Sequence, residues 1–206
     1  WVRRPQRDRA RQLIDQARAQ GRTTLSEPES KELLDAYGIP VPKEGVASTA
    51  AAAAKLASGM GYPVVLKIVS PDILHKTEAG GVLVGVKSAA EVKAGFAKIL
   101  ANAKKYDRKA QILGVQVQQM VGGGQEVIIG AVTDPSFGKL VAFGLGGVLV
   151  EVMKDITFRL APATKDDALS MLDGIAAAEM LKGVRGADPV NRTALAAVIR
   201  SVSQLV

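Results

Sequence analysis

Cysteine is absent from all 206 residues, which excludes disulfides, thiolate metal sites and a cysteine nucleophile. Histidine occurs once, at His75, so a zinc site built from protein ligands is not expected, and no HExxH is present. No GxSxG elbow, P-loop or GxGxxG fingerprint is present, which removes the usual serine-hydrolase and dinucleotide signals. Aromatic residues make up 4% of the chain, too few for the stacking platform that single-stranded nucleic acid needs. No apolar run approaches the ~18–20 residues of a membrane span. The opening Trp1-Val2-Arg3-Arg4-Pro5 lacks the apolar core of a signal peptide. A soluble cytoplasmic protein with no membrane or nucleic-acid partner is the expectation.

Apolar residues make up 48% of the chain and charged residues 23%, a balance that folds. The length fits one large domain or two modest lobes. Net charge is +7, concentrated in residues 1–24, where seven arginines face Asp8 and Asp15. Such a segment reads as a solvated basic helical linker in preference to a nucleic-acid arm. The remaining positive charge would suit an anionic nucleotide or CoA. The start on Trp1 and the end on Leu205-Val206, inside an amphipathic pattern with no stop signal, are expected to be cuts in a longer chain.

Spacing predicts helices over 8–20 and from Ser26 to about Tyr37, the second with Pro28 inside its first turn and Glu29 completing a capping box. An Ala-rich helix follows Ser48, and another runs from Ser88 to about Lys105. Strands are predicted at 64–69, 82–86, 112–120, 126–133, 140–143, 148–152 and 158–160, then helices near 164–174 and 191–206. Hairpin-like connections make the second half largely antiparallel. The class is α+β: two lobes with mostly antiparallel sheets and flanking helices.

The candidate chemistry begins with His75, in the loop Ser70-Pro71-Asp72-Ile73-Leu74-His75-Lys76-Thr77-Glu78-Ala79-Gly80-Gly81. Neutral imidazole can accept a phosphoryl group, and Gly80-Gly81 would permit close approach of backbone to phosphate. The residues alone leave a structural and a functional His75 equally open. Lys67 interrupts an apolar strand, so it either snorkels at an edge or meets an anion. Glu126 either accepts ribose hydroxyls or is a charged strand end. Gly144-Leu145-Gly146-Gly147 is either a phosphate cradle or a tight hairpin.

A longer pattern resembles the ATP-grasp domain, beta-subunit-like, of ADP-forming (NDP-forming) acyl-CoA synthetases. It comprises Leu25 to Val41, Gly61 to Lys67, His75 to Val82, Gln118-Gln119-Met120, Gly124 to Gly130, Asp134 to Gly138, Gly144 to Asp155 and Leu160-Ala161-Pro162, collinear over about 25–206. The resemblance implies a basic helical linker at 1–24, an N-terminal ATP-grasp lobe at 25–120 and an incomplete C-terminal lobe at 121–206. It implies ATP/ADP as ligands and His75 as the phosphoryl carrier. Lys67 would face the phosphates, Gln118, Gln119, Met120 and Val121 would form the hinge against adenine, and Glu126 would bind ribose. Gly80, Gly81, Gly146, Gly147, Glu151 and Arg159 would lie on the phosphate side. No metal ligand is assigned within the chain. The Mg2+ ligands are expected in a Glu/Asp-x-Asn-Pro segment after residue 206, since Asp188-Pro189-Val190-Asn191 has a different order. The partner would be a CoA-binding ligase domain or subunit. The alternative is a non-catalytic, regulatory synthetase-like module of a protein acetyltransferase, expected to lack the reactive histidine. Another ATP-grasp ligase, such as a succinyl-CoA-synthetase-like subunit, fits the His-Lys-Thr-Glu-Ala-Gly-Gly stretch less well.

Overall fold

A computed structural model describes residues 5–73, 75–146, 154–184 and 188–206. The chain divides into two compact units, one of residues 42–122 and one of residues 1–41 together with 123–206.

In the inserted unit, strands β1 (Glu44–Ala47), β2 (Val64–Val69), β3 (Val82–Val86) and β4 (Gly114–Gln119) form one sheet in the order β1-β4-β2-β3. Every pairing in it is antiparallel. Strand alternation sorts its side chains by face. Val64, Leu66 and Ile68 of β2 and Val115 and Val117 of β4 are buried against helices α3 (Ala50–Met60) and α4 (Ala89–Tyr106). From α4 this core takes Val92, Phe96, Ile99 and Ala103, at the spacing of one helical face. Each helix starts on a side-chain cap, Thr49 accepting from the Ala52 N–H and Ser88 from the Glu91 N–H.

The other unit carries the hairpin β5 (Val127–Asp134) and β6 (Gly138–Leu145), extended by β7 (Ile156–Leu160) into an antiparallel sheet. One face packs Val141, Phe143 and Leu145 on helices α5 (Lys165–Asp173) and α6 (Arg192–Leu205) through Met171, Leu172 and Ile199. Ile128, Val132, Phe158 and Leu160 on the other face are exposed.

Helices α1 (Arg7–Ala19) and α2 (Glu27–Ala36) belong to this second unit. The basic stretch is therefore a packed element where a solvated linker was expected. Ala10 is buried with Ala36, Tyr37 and Ile39, against Val198, Val202 and Leu205 of α6. Arg9 spans to Glu32 and Asp35, both at 3.0 Å. Residues 25–41, expected in the first lobe, join the second unit through the same cluster. Strand β1 was not foreseen, and the expected strand at 148–152 lies outside the described residues. No helix among the described residues is long and apolar enough to cross a membrane.

Helix α2 starts as its sequence dictates. The Glu29 carboxylate accepts from the Ser26 N–H at 2.7 Å and the Ser26 hydroxyl at 2.7 Å. Arg22 donates to it at 2.6 and 2.8 Å. At its C-terminus Gly38 takes φ +72°, and the Ile39 N–H reaches back to the Leu34 carbonyl at 3.0 Å, a left-handed ending that glycine adopts without strain. The Arg22 guanidinium and the Ser26 donors hold the Glu29 carboxyl at about 2, against an ordinary 4.5. A depressed carboxylate stabilises the fold above its unfolded-state value and stops doing so as pH falls through its folded value. Glu29→Gln is thus expected to lower Tm at neutral pH. The gap from the parent should close as pH falls from about 4.5 towards about 2; a gap constant with pH would mean that this carboxylate's charge contributes nothing.

Candidate functional site

Lys67 lies on β2 with its side chain on the face turned away from α3 and α4, since its neighbours Leu66 and Ile68 fill the helix side. Across the sheet Lys67 is opposite Gln116 of β4 on one side and Val82 of β3 on the other. Gln118, two residues on, accepts from the Lys67 ammonium at 2.7 Å. Val-Gln-Val-Gln along β4 alternates apolar and polar, so Gln116 and Gln118 share the Lys67 face. A cation and two amides share one sheet face, Gln116 buried and Lys67 and Gln118 half-buried, and such groups suit phosphate oxygens and a heteroaromatic edge. Gln116 was missed in the sequence, although that alternation was the signal for it.

Gln119 ends β4 and is held at both levels: its N–H donates to the Lys43 carbonyl at 2.8 Å and its side-chain oxygen accepts from the Lys43 N–H at 3.4 Å. The Met120 N–H donates to the Pro63 carbonyl at 3.3 Å. Val121 is exposed, and the chain passes into the second unit immediately after Gly122.

His75 is exposed on the loop between β2 and β3. Its surroundings are fixed by burial on either side. Ile73 is 1% exposed and Ala79 5%, both inside the core under α4. The segment between turns back on itself, with the His75 carbonyl accepting from the Ala79 N–H at 3.1 Å and the Lys76 carbonyl from the Gly81 N–H at 2.8 Å. Two apolar residues thus anchor a loop whose polar middle meets solvent. The ring does not sit in the hydrophobic interior, the placement that a packing histidine would take.

The fold itself accounts for the glycine pair. A Cβ on Gly81 would fall 2.5 Å from Ile68 Cγ2 and 3.0 Å from the Lys76 carbonyl oxygen. Gly80 has φ +61°, and a Cβ there would meet Asn102 Nδ2 at 2.8 Å. Close packing of the loop on β2 and α4 therefore requires both glycines.

The remaining sequence-derived residues lie in the second unit. Glu126 is exposed, and its carbonyl accepts from the Gly146 N–H at 2.8 Å. The two backbones press together closely enough that a Cβ on Gly146 would lie 2.9 Å from Glu126 Cβ. Arg159 is not brought to that pair. It sits on β7 opposite Val141, four residues along β6 from Leu145, which faces Val127. Its guanidinium donates to the Phe158 carbonyl at 2.8 Å and the Ser170 hydroxyl at 2.9 Å. Gly147 and Glu151 lie outside the described residues. Among the described residues no group of three or more His, Cys, Asp or Glu gathers to hold a metal ion.

The profile of the ATP-grasp domain matches residues 16–206. The chain belongs to the ATP-grasp family. Over 197 residues it is 48% identical to the beta subunit of the ADP-forming acetate–CoA ligase I of Pyrococcus furiosus, covering 96% of this chain and 84% of that one. That likeness makes it a member of the ADP-forming acyl-CoA ligase family. Over 198 residues it is 47% identical to the ADP-forming 4-hydroxybutyrate–CoA ligase of Nitrosopumilus maritimus, covering 96% of this chain but only 28% of that ligase. Among solved structures it resembles the dinucleotide-forming acetyl-coenzyme A synthetase 1 of Ca. Korarchaeum cryptofilum. A form of that enzyme with coenzyme A, acetyl-coenzyme A and a phosphorylated phosphohistidine segment aligns with TM-score 0.82 and 41% identity, over 93% of this chain and 84% of that one. A form with coenzyme A and Mg-AMPPCP, its phosphohistidine segment pointing towards the nucleotide binding site, aligns with TM-score 0.78 and 39% identity, over 93% and 83%. The α+β ATP-grasp fold with antiparallel sheets agrees with the sequence-derived class.

The anchoring of the His75 loop is open to direct test. Ile73→Ala removes fully buried methyl groups and is expected to cost about 2–5 kcal/mol. His75→Ala, on the exposed middle of the same loop, should change stability by no more than about 0.5 kcal/mol. Urea unfolding of both variants checks the contrast; equal losses would contradict an exposed ring.

Proposed function

We propose that this chain is the nucleotide-binding part of an ADP-forming acyl-CoA synthetase and that His75 carries the phosphoryl group between an acyl phosphate and ADP. The observation that carries this is an exposed imidazole on a loop pinned at both ends by buried apolar residues, in a chain whose solved relative holds a phosphohistidine segment. The partner is a CoA-binding domain or subunit, where phosphate displaces the CoA thiolate from acyl-CoA to give the acyl phosphate. The neutral His75 ring then attacks phosphorus with a nitrogen lone pair. The N–P bond forms as the P–O bond of the mixed anhydride breaks, and the carboxylate leaves with that electron pair. In the second half, a terminal phosphate oxygen of ADP attacks the same phosphorus. The N–P electrons return to the ring, and ATP and neutral histidine result.

Transfer of this kind depends on positioning and charge neutralisation more than on covalent help. Lys67 supplies a cation aimed at the terminal phosphates, steadied by Gln118. Glu126 accepts ribose hydroxyls, and the strand end from Gln118 to Val121 lies along adenine. Magnesium, when bound with the nucleotide, would further neutralise phosphate charge.

In the complete enzyme, ATP labelled on its γ-phosphate is expected to label the peptide containing His75, with base-stable and acid-labile linkage. His75→Asn should abolish label on that peptide; retention at the parent level would place the carrier elsewhere. Lys67→Ala is expected to weaken ADP binding roughly tenfold or more, the scale of one hydrogen bond to a charged group. Unchanged ADP affinity by calorimetry would assign Lys67 a purely structural role.

A further inference from the structure

The His75 loop is clasped by polar contacts just outside its two apolar anchors. On the leading side, the Asp72 carboxylate accepts from the Gln111 N–H at 2.6 Å, and the Asp72 N–H donates to the Ser70 hydroxyl at 3.2 Å. On the trailing side, the Asn102 amide of α4 donates to the Gly80 carbonyl at 2.9 Å. That second contact has a built approach. Gly80 brings its α-carbon so near that any β-carbon would press on the Asn102 amide, and Gly81 leaves room for Ile68. The partners are 22 residues apart in sequence, and Asn102 is half-buried on a helix otherwise committed to the core through Ile99 and Ala103. A polar side chain there, matched to a glycine carbonyl, fixes where the loop ends.

We infer that Asn102 is a positioning residue for the phosphoryl carrier. It holds the trailing end of the loop so that motion is confined to the segment between Ile73 and Ala79. This rests on the assignment of His75 as carrier. With Ile73 held, His75 is two residues from a fixed point, so its α-carbon stays within roughly 7 Å of the Ile73 α-carbon. A carrier on so short a tether reaches a defined arc, and loosening the trailing end spreads the imidazole over more positions. Fewer of those are in line with a phosphorus atom, which slows transfer without changing how nucleotide is held.

The test uses the complete enzyme with Asn102→Ala and Asn102→Asp, the second of equal size but without the donor. In single-turnover labelling with γ-labelled ATP, both are expected to phosphorylate His75 about tenfold more slowly than the parent, on the scale of a lost orienting contact. Nucleotide affinity should be unchanged, and overall turnover should show a lower kcat at unaltered KM for ADP. Labelling at the parent rate in both variants would overturn the inference. So would a loss confined to nucleotide affinity, or one explained wholly by a fall in the folded fraction, read by circular dichroism at the assay temperature. Failure of the underlying assignment is separate and visible: the parent itself would then carry no label on the His75 peptide.

Discussion

Burial of Ile73 and Ala79 beneath α4 organises the inserted unit's chemistry. A histidine in a free surface loop samples many directions. Here one in a loop tied down on both sides is displayed from a defined base, the same core that orders β2 and β4. That base also sets Lys67, because the alternation burying Leu66 and Ile68 turns the intervening lysine to the opposite face. One hydrophobic cluster therefore positions both the Lys67 ammonium and the His75 imidazole, although neither belongs to it.

The glycines show that a motif read for a ligand also serves the packing of the fold. Gly80-Gly81 in sequence suggests backbone approach to a phosphate. In the structure the pair is filled by neighbours within the protein, Asn102 on one residue and Ile68 on the next. Gly146 behaves alike, leaving room for the Glu126 backbone. Glycine reports close approach of something, and tertiary structure decides of what.

Regular elements were legible wherever burial followed a period. Strands β2 and β3 fall at the residues their apolar runs mark, and α2 opens on the capping box its sequence spells. Strand β1 was not legible: Glu-Gly-Val-Ala after two prolines is four residues long and owes its conformation to pairing with β4. The packing of α1 was hidden for another reason. Its arginines dominate composition, while the contacts that bury it use alanines, Ala10 and Ala17, which look the same in a solvated helix. His75 and Lys67 stood out as chemically costly residues in uncharacteristic places. Asn102 and Asp72 did not, because their value lies in backbone groups brought near by folding.

The second unit is discontinuous, its first 41 residues sharing a core with α6 across the whole intervening chain. On a ribosome, the stretch from 42 to 122 has all its partners soon after it emerges. Helices α1 and α2 must wait until Val198, Val202 and Leu205 have been made before their apolar face closes. Contacts so distant along the chain form late and slowly, so the sheet bearing Lys67 and the histidine loop is expected to assemble first, while α1 and α2 remain open to chaperones.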